Sequence, residues 1–245
     1  MSARLFVDLP LLTGSDLALP PGPARHVQVL RLQPGAGLTL FDGRGGEFAA
    51  TVTHMGRSDV RVRVGAHDPV ERELTLPVTL AVGMPANDRM DALVEKATEL
   101  GVAAIVPLTS ERSVLRLHAE RAEKRLAHWR GVAIAACEQS GRTRVPVLSP
   151  VATLAAWLQA LPPPGAGARW LLSPGAAGAL MPLAAAQGAR REAVLVLSGP
   201  EGGLSTDEEA LARRFGFTPV GLGARVLRAD TAPLAVLACL GLSSG

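Results

Sequence analysis

Two glycine-bearing stretches in the last fifth of the chain hold the residues best suited to chemistry. Ser198-Gly199-Pro200-Glu201-Gly202-Gly203 follows the apolar run Ala193-Val194-Leu195-Val196-Leu197. About twenty residues later comes Leu222-Gly223-Ala224-Arg225-Val226-Leu227-Arg228-Ala229-Asp230-Thr231-Ala232. Glycine lets the backbone approach a partner more closely than other residues allow. Such loops suit a small molecule gripped by main-chain N–H and C=O groups; a tight turn without a ligand is the alternative. The first stretch lacks the G-x-G-x-x-G spacing of dinucleotide sites, and no Gly-Lys-Ser/Thr of a P-loop is present. The second ends in two arginines and an aspartate, of which Asp230 either caps the next helix or takes part in chemistry.

Three further groups of residues invite a role. Glu138-Gln139-Ser140-Gly141-Arg142 stands at a helix end before Val145-Pro146, where polar residues either face a ligand or cap the helix. Arg4, His26 and Arg31 suit phosphate contacts, although a lone histidine such as His26 is more often a satisfied structural one. Between positions 111 and 144, Arg112, Arg116, Arg121, Lys124, Arg125, Arg130, Arg142 and Arg144 outnumber Glu111, Glu120, Glu123 and Glu138. That local basic patch fits either a nucleic-acid partner or a solvated helix face. No His/Cys/Asp cluster has metal-ligand spacing, so no metal is expected, and no Gly-x-Ser-x-Gly elbow occurs.

The elements that must position these residues follow from periodicity. The first seventy residues read as β-rich: a glycine turn, Gly43-Arg44-Gly45-Gly46, separates two strand patterns. Val60, Val62 and Val64 alternate with Arg61 and Arg63 in a strand with one wet face. Small barrels are built this way. The polar segment 68–74 marks the domain boundary, dividing the chain into residues 1–72 and 73–245. Beyond it the spacing predicts strands over 76–84, 102–108, 169–172, 193–197 and 219–222. Helices are predicted over 119–140 and 153–161, and within the alanine-rich stretch 176–189. Another carries Met90, Leu93, Val94, Ala97 and Leu100 on one face, with Asn87 or Asp88 as its cap and Gly101 as its stop. Alternating strands and helices make this half α/β with a mainly parallel sheet. Ser205-Thr206-Asp207-Glu208 is a capping box. It places residues 199–203 between a strand's carboxyl end and a helix's amino end, the edge where open α/β sheets bind ligands.

Composition narrows the setting. The net charge is +3, and lysine occurs only at Lys96 and Lys124; both phosphate recognition and coding bias favour arginine. Cys137 and Cys239 lie in apolar helical stretches and read as buried free thiols. Asp8 and Pro10 stand where a signal peptide needs its apolar centre. No run approaches the roughly eighteen apolar residues of a membrane span. A cytoplasmic protein with no membrane partner is expected.

Four blocks, in order along nearly the whole chain, carry a resemblance. They are His26-Val27-Gln28-Val29-Leu30-Arg31 with Phe41-Asp42-Gly43; Glu95-Lys96-Ala97-Thr98-Glu99-Leu100-Gly101-Val102 with Pro107-Leu108; Glu138-Gln139-Ser140 with Arg142; and the two C-terminal loops. The chain resembles the 16S rRNA (uracil-N3)-methyltransferases of the SPOUT superfamily. The resemblance implies an N-terminal PUA-like barrel that binds RNA over residues 1–72. Over residues 73–245 it implies a SPOUT α/β domain with a C-terminal trefoil knot. It also implies S-adenosylmethionine as cofactor, 16S rRNA of the small ribosomal subunit as partner, and a homodimer with its active site near the subunit interface. Backbone groups at Leu172, Leu197, Gly199, Gly202, Leu222, Gly223 and Leu227 would hold the cofactor. Arg4, His26, Arg31, Glu138, Gln139 and Arg142 would meet RNA.

Arg228 would stabilise negative charge on a uracil oxygen, with Glu201 or Asp230 orienting it or taking the N3 proton. The rival readings are a SPOUT enzyme with another RNA target and a non-catalytic RNA-binding or ribosome-assembly factor. Two departures from the family stand out. Ala86-Asn87 replaces a Lys-Gly pair, which removes a positive charge, and Asp230 replaces a glutamate, which shortens the carboxylate's reach.

Overall fold

The computed structural model describes residues 3–57, 59–86, 89–114, 119–176 and 180–243. The chain divides into two compact units. The first comprises residues up to Glu73 together with Cys137–Val145, and the second Leu74–Ala136 with the chain from Pro146 onward. A single cut near position 72 therefore leaves out one returning segment, 137–145, of the first unit.

The first unit contains β1 (Ala3–Phe6), β2 (Asp16–Ala18), α1 (Pro21–Val29), β3 (Gly37–Phe41), β4 (Glu47–Met55) and β5 (Val60–Asp68). The strand order is β1-β3-β4-β5-β2. β1 lies parallel to β3, and the other pairs are antiparallel. The predicted glycine turn joins β3 to β4. On β5, Val60, Val62 and Val64 point into a core with Leu5, Val27, Leu38, Leu40 and Val52, while Arg61 and Arg63 face out. Helix α1 is an addition to the β-rich reading. Pro21 and Pro23 read as breakers in sequence, yet the first helical turn tolerates proline because its N–H groups have no intrahelical partner. The helix stops where Arg31 adopts φ +54.

The second unit contains β6 (Val78–Gly83), α2 (Arg89–Glu99), β7 (Ala104–Thr109), most of α3 (Ala119–Ser140), β8 (Val147–Leu148), β9 (Ala152–Thr153), α4 (Leu154–Ala160), β10 (Ala168–Leu172), α5 (Leu180–Arg190), β11 (Val194–Ser198), α6 (Thr206–Arg214), β12 (Thr218–Val220) and α7 (Thr231–Ser243). The sheet order is β12-β10-β11-β6-β7-β8, with β9 also on β7. Every pair is parallel. The carboxyl ends of β12, β10, β11 and β6 therefore share one edge, and the loops leaving them meet there. The α/β expectation is met, as is most of the amphipathic face of α2, where Met90, Leu93, Val94 and Ala97 are buried; Leu100 falls just past the helix and is exposed. The proposed caps Asn87 and Asp88, Arg116 of the basic patch, and positions 177–179 of the alanine-rich stretch lie outside the described residues. Cys137 is buried and Cys239 half-buried, both as free thiols.

Gly101 shows why α2 stops where it does. Its φ is +92, and a Cβ there would lie 2.7 Å from Leu74 Cγ. Both the backbone conformation and the space require glycine. Gly101→Ala should lower unfolding stability by about 2 kcal/mol, read as a lower urea midpoint at unchanged slope. An unchanged midpoint would show that neither constraint matters.

Candidate active site

The loops at the sheet's carboxyl edge enclose a cavity of about 600 Å³, within the roughly 300–1,000 Å³ usual for small-molecule sites. Three loops line it: residues 173–175 after β10, 199–204 after β11, and 222–229 after β12. Leu172, Gly199, Gly202, Leu222, Gly223 and Leu227 all face the cavity, as do Glu201 and Arg228. Leu197 does not. It is fully buried and packs with Ala81, Leu171 and Phe217 in the core beneath. Alternation along a strand puts neighbouring side chains on opposite faces, and the apolar run could not show which residues end in the core.

Local chemistry fixes the first loop at three points. Ser205 Oγ accepts from Glu208 N at 3.3 Å, and Glu208 Oε2 accepts from Ser205 N at 2.9 Å, completing the predicted capping box. Glu201 Oε1 accepts from Ala86 N at 3.0 Å and from Arg89 Nη1 at 3.2 Å. This oxygen anchors the loop to the segment after β6, so Glu201 acts first as a clamp. Arg112, after β7, donates from Nη1 to the carbonyls of Gly202 (3.1 Å) and Leu204 (3.4 Å).

Arg228 is exposed at the cavity. Asp230 is half-buried outside the lining, and its Oδ1 is buried without a hydrogen-bond partner. A capping role through that oxygen is therefore not observed. Backbone bonds close the turn instead: Thr231 N and Ala232 N both donate to Arg228 O at 3.0 Å. Arg225 and Val226 of the second glycine loop also line the cavity, as do Ser173 and Glu209, which the sequence did not mark as site residues. Ser173 Oγ donates to Glu209 Oε1 at 3.1 Å. Glu209 stands in the acidic first turn of α6, where it complements the helix dipole, and nothing marked Ser173 until strand order brought β10 beside β11. Among the described residues, no three His, Cys, Asp or Glu side chains converge as metal ligands.

The residues assigned to RNA fall in the first unit, and the structure divides them. Arg4 pairs with Glu47, lies 5.1 Å from the Phe41 ring centroid, and donates from Nη2 to Gly141 O and Arg142 O, each at 3.1 Å. Arg142 is 3% exposed and pairs with Glu73, its Nε donating at 3.0 Å. Both side chains hold the returning segment 137–145 in place. Gln139 and Arg31 are exposed; Arg31 lines a second cavity of about 340 Å³ with Gln28 and Arg57. His26 Nδ1 lies 3.8 Å from Glu138 Oε2, and Phe6 N donates to Glu138 Oε1 at 2.9 Å.

Burial pushes the carboxyl of Glu138 above its usual range, against the opposing pull of the Phe6 N–H, His26 and Arg4. Burial alone would also raise Glu47, but Arg72 and Arg4 outweigh it and hold that carboxyl low. Burial takes the Cys137 thiol up to about 12.

Two expectations follow for these clamps and carboxyls. Removing the Glu201 carboxylate in Glu201→Ala should speed amide exchange in residues 199–204 by about tenfold; unchanged exchange would mean that Ala86 and Arg89 do not hold the loop. Glu138 keeps a proton to higher pH folded than unfolded, so it favours the fold below the unfolded pKa and loses that contribution as pH rises through the raised one. The unfolding stability of Glu138→Gln relative to the parent should therefore increase between about pH 4 and about pH 8. A relative decrease would contradict the assigned direction.

Comparison with known proteins now bears on the site. The family model for an RNA methyltransferase domain matches residues 72–241, and that for an RNA methyltransferase PUA domain matches residues 24–65. Ribosomal RNA small subunit methyltransferase E of Synechocystis sp. is 32% identical over 97% of this chain and 77% of its own length. The enzyme of the same name from Bacillus subtilis is 30% identical over 87% of this chain and 84% of its own. The crystal structure of that enzyme from Neisseria gonorrhoeae, bound to S-adenosyl methionine, superposes with a TM-score of 0.88 at 35% identity, covering 98% of this chain and 97% of that one. A methyltransferase from Legionella pneumophila, in complex with the same cofactor, gives 0.89 at 32% identity over 99% and 98% of the two chains. A PUA-like unit, a parallel α/β unit and a glycine-loop cavity thus occur together in a chain matched along nearly its full length: it belongs to the ribosomal RNA small subunit methyltransferase E family.

Proposed function

We propose that this chain transfers a methyl group from S-adenosylmethionine to N3 of a specific uridine in the 16S rRNA of the small ribosomal subunit. The observation that carries the reading is the cavity itself. Two glycine loops enclose a space of small-molecule size at the edge of a parallel sheet, in a chain similar along its whole length to cofactor-bound relatives. A Cβ on Gly202 would come within 3.1 Å of Arg112 Cβ, so backbone forms that wall, as a ligand held by main-chain groups requires.

When bound, S-adenosylmethionine supplies an electrophilic methyl group on a positively charged sulfur. Leu172, Gly199, Gly202, Leu222, Gly223 and Leu227 would hold it. The chain's remaining task is to position and activate the nucleophile. Uracil N3 carries a proton and attacks only when that proton leaves. Arg228 is exposed at the cavity and offers a cation for the negative charge that then spreads to a uracil oxygen. Asp230, two residues on, has the carboxylate oxygen without a partner; it takes the N3 proton or orients Arg228. Glu201 is less suited to the proton because its Oε1 already accepts two hydrogen bonds. The base must be unstacked for N3 to be reached.

The finer parts of the reading have their own support. RNA capture is assigned to residues 1–72 together with the returning segment 137–145, with the exposed Arg31, His26 and Gln139 as RNA-facing side chains. Methyl transfer is assigned to residues 73–245, where the loops after β11 and β12 share one cavity in the manner a trefoil knot would impose. A homodimer is favoured by α7, which is apolar on every side although only Pro233, Val236, Leu237 and Leu240 of it are buried, with Leu242 87% exposed. No helix among the described residues is long and apolar enough to cross a membrane, and an rRNA substrate places the reaction in the cytoplasm.

The test uses small subunits lacking the modification and methyl-labelled cofactor. Label should appear in 3-methyluridine, and Arg228→Ala should lower kcat by about a hundredfold while still binding the cofactor. Label in a ribose 2′-O-methyl nucleoside would overturn the N3 assignment, and full activity in Arg228→Ala would overturn its role.

A further inference from the structure

We infer that Arg112 is a positioning residue for the cofactor: its guanidinium latches the exit limb of the loop after β11 in the shape that encloses the ligand. The inference rests on the cofactor reading of the cavity and adds to it a residue from an element that contributes no glycine loop.

The geometry begins with a rigid turn. Ser110 and Ser113 are buried, at 6% and 7% exposure. Ser110 N donates to Ser113 Oγ at 2.9 Å, Ser113 N donates to Ser110 O at 3.1 Å, and the two hydroxyls lie 3.0 Å apart. Between them, Glu111 N donates to Glu208 Oε1 at 2.8 Å. The backbone that carries Arg112 is thus fixed on both sides, and part of that fixing comes from the carboxylate that also closes the capping box of α6. From this platform Nη1 reaches the Gly202 and Leu204 carbonyls. The loop it holds contains three glycines in five residues, 199–203, and glycine loses more conformational freedom on ordering than any other residue. Without a latch, that ordering falls on ligand binding and weakens it. Glu201 secures the entry limb from the other side, through Ala86 and Arg89. Arg112 is the matching hold on the exit limb, and it lines the cavity itself.

Arginine suits this place because its planar, always charged guanidinium holds Nη1 in a fixed orientation toward both carbonyls. Lysine offers a point charge on a flexible stem and would hold the same carbonyls less firmly.

The test is calorimetric titration of S-adenosylmethionine into the full-length parent, Arg112→Ala and Arg112→Lys, with thermal melting of each free protein and steady-state kinetics on small subunits. Arg112→Ala should weaken cofactor binding by about tenfold, and Arg112→Lys should recover part of that loss. The KM for the cofactor should rise in step with Kd, with kcat changing much less. An Arg112→Ala protein that binds the cofactor within about twofold of the parent would overturn the inference. So would unchanged cofactor affinity combined with weaker binding of the subunits, which would make Arg112 an RNA contact. If Arg112→Ala melts well below the parent, Arg112→Lys decides: a parent-like melting temperature with weakened binding supports the latch, and parent-like binding overturns it. A parent protein that does not bind S-adenosylmethionine overturns the cofactor reading of the cavity, and the latch with it.

Discussion

Gly83 ends β6 with no room for a side chain: a Cβ there would lie 2.5 Å from Pro200 Cδ. The loop leaving β11 folds directly over the carboxyl end of its neighbouring strand, backbone against backbone. Everything at the site depends on that approach. Parallel pairing of Ser198 with Val82 sets the height at which the loop departs. The proline caps the end of β6, and Glu201 can then reach Ala86 and Arg89 just beyond it. The capping box at Ser205, four residues after Glu201, turns the chain into α6. A larger residue at position 83 would lift the loop and spoil each of these contacts, because packed backbone has no rotamer with which to yield.

The first unit solves a different problem. Its segment 137–145 returns from far along the sequence, and little of it is apolar. Charged pairs hold it: Arg142 on Glu73, Arg144 on Glu71, and Arg4 on Glu47 and two carbonyls. Most of these groups are partly buried, where such bonds are stronger than at the surface and an unpaired partner is costly. Burial pushes both neighbouring carboxyls up, and their partners decide the direction each takes. Glu47 has two arginines and is held low, whereas Glu138 has a backbone N–H and a histidine at 3.8 Å and is pushed up.

Much of the second unit was legible in the sequence because its signals are local. The alternation of strand and helix, the buried face of α2, the stop at Gly101 and the Ser205–Glu208 box each depend on residues within a few positions of one another. The glycine loops were legible for the same reason. Less visible was everything that depends on strand order. Arg112 and Ser173 lie far from the glycine loops in sequence and meet the cavity only because β7 and β10 share an edge with β11. Leu197 reads like its neighbours in an apolar run, and only the pleat sends it into the core. In the first unit, α1 was hidden by two prolines that the first helical turn accepts. Arg4 and Arg142 looked like free cations because the acids that pair with them are 43 and 69 residues away. The family resemblance drew on the same local blocks, so it drew attention to the loops and carried no sign of the arginines' internal partners.

The central claim is that the loops after β10, β11 and β12 form the cofactor site of this chain. Nitrogen-15 amide spectra of the intact protein, recorded during titration with S-adenosylmethionine, test it most directly. The account predicts saturable shifts at Gly199, Gly202, Gly203 and Gly223, with the amides of β4 and β5 unmoved. Shifts confined to the first unit, or none at saturating ligand, would contradict it.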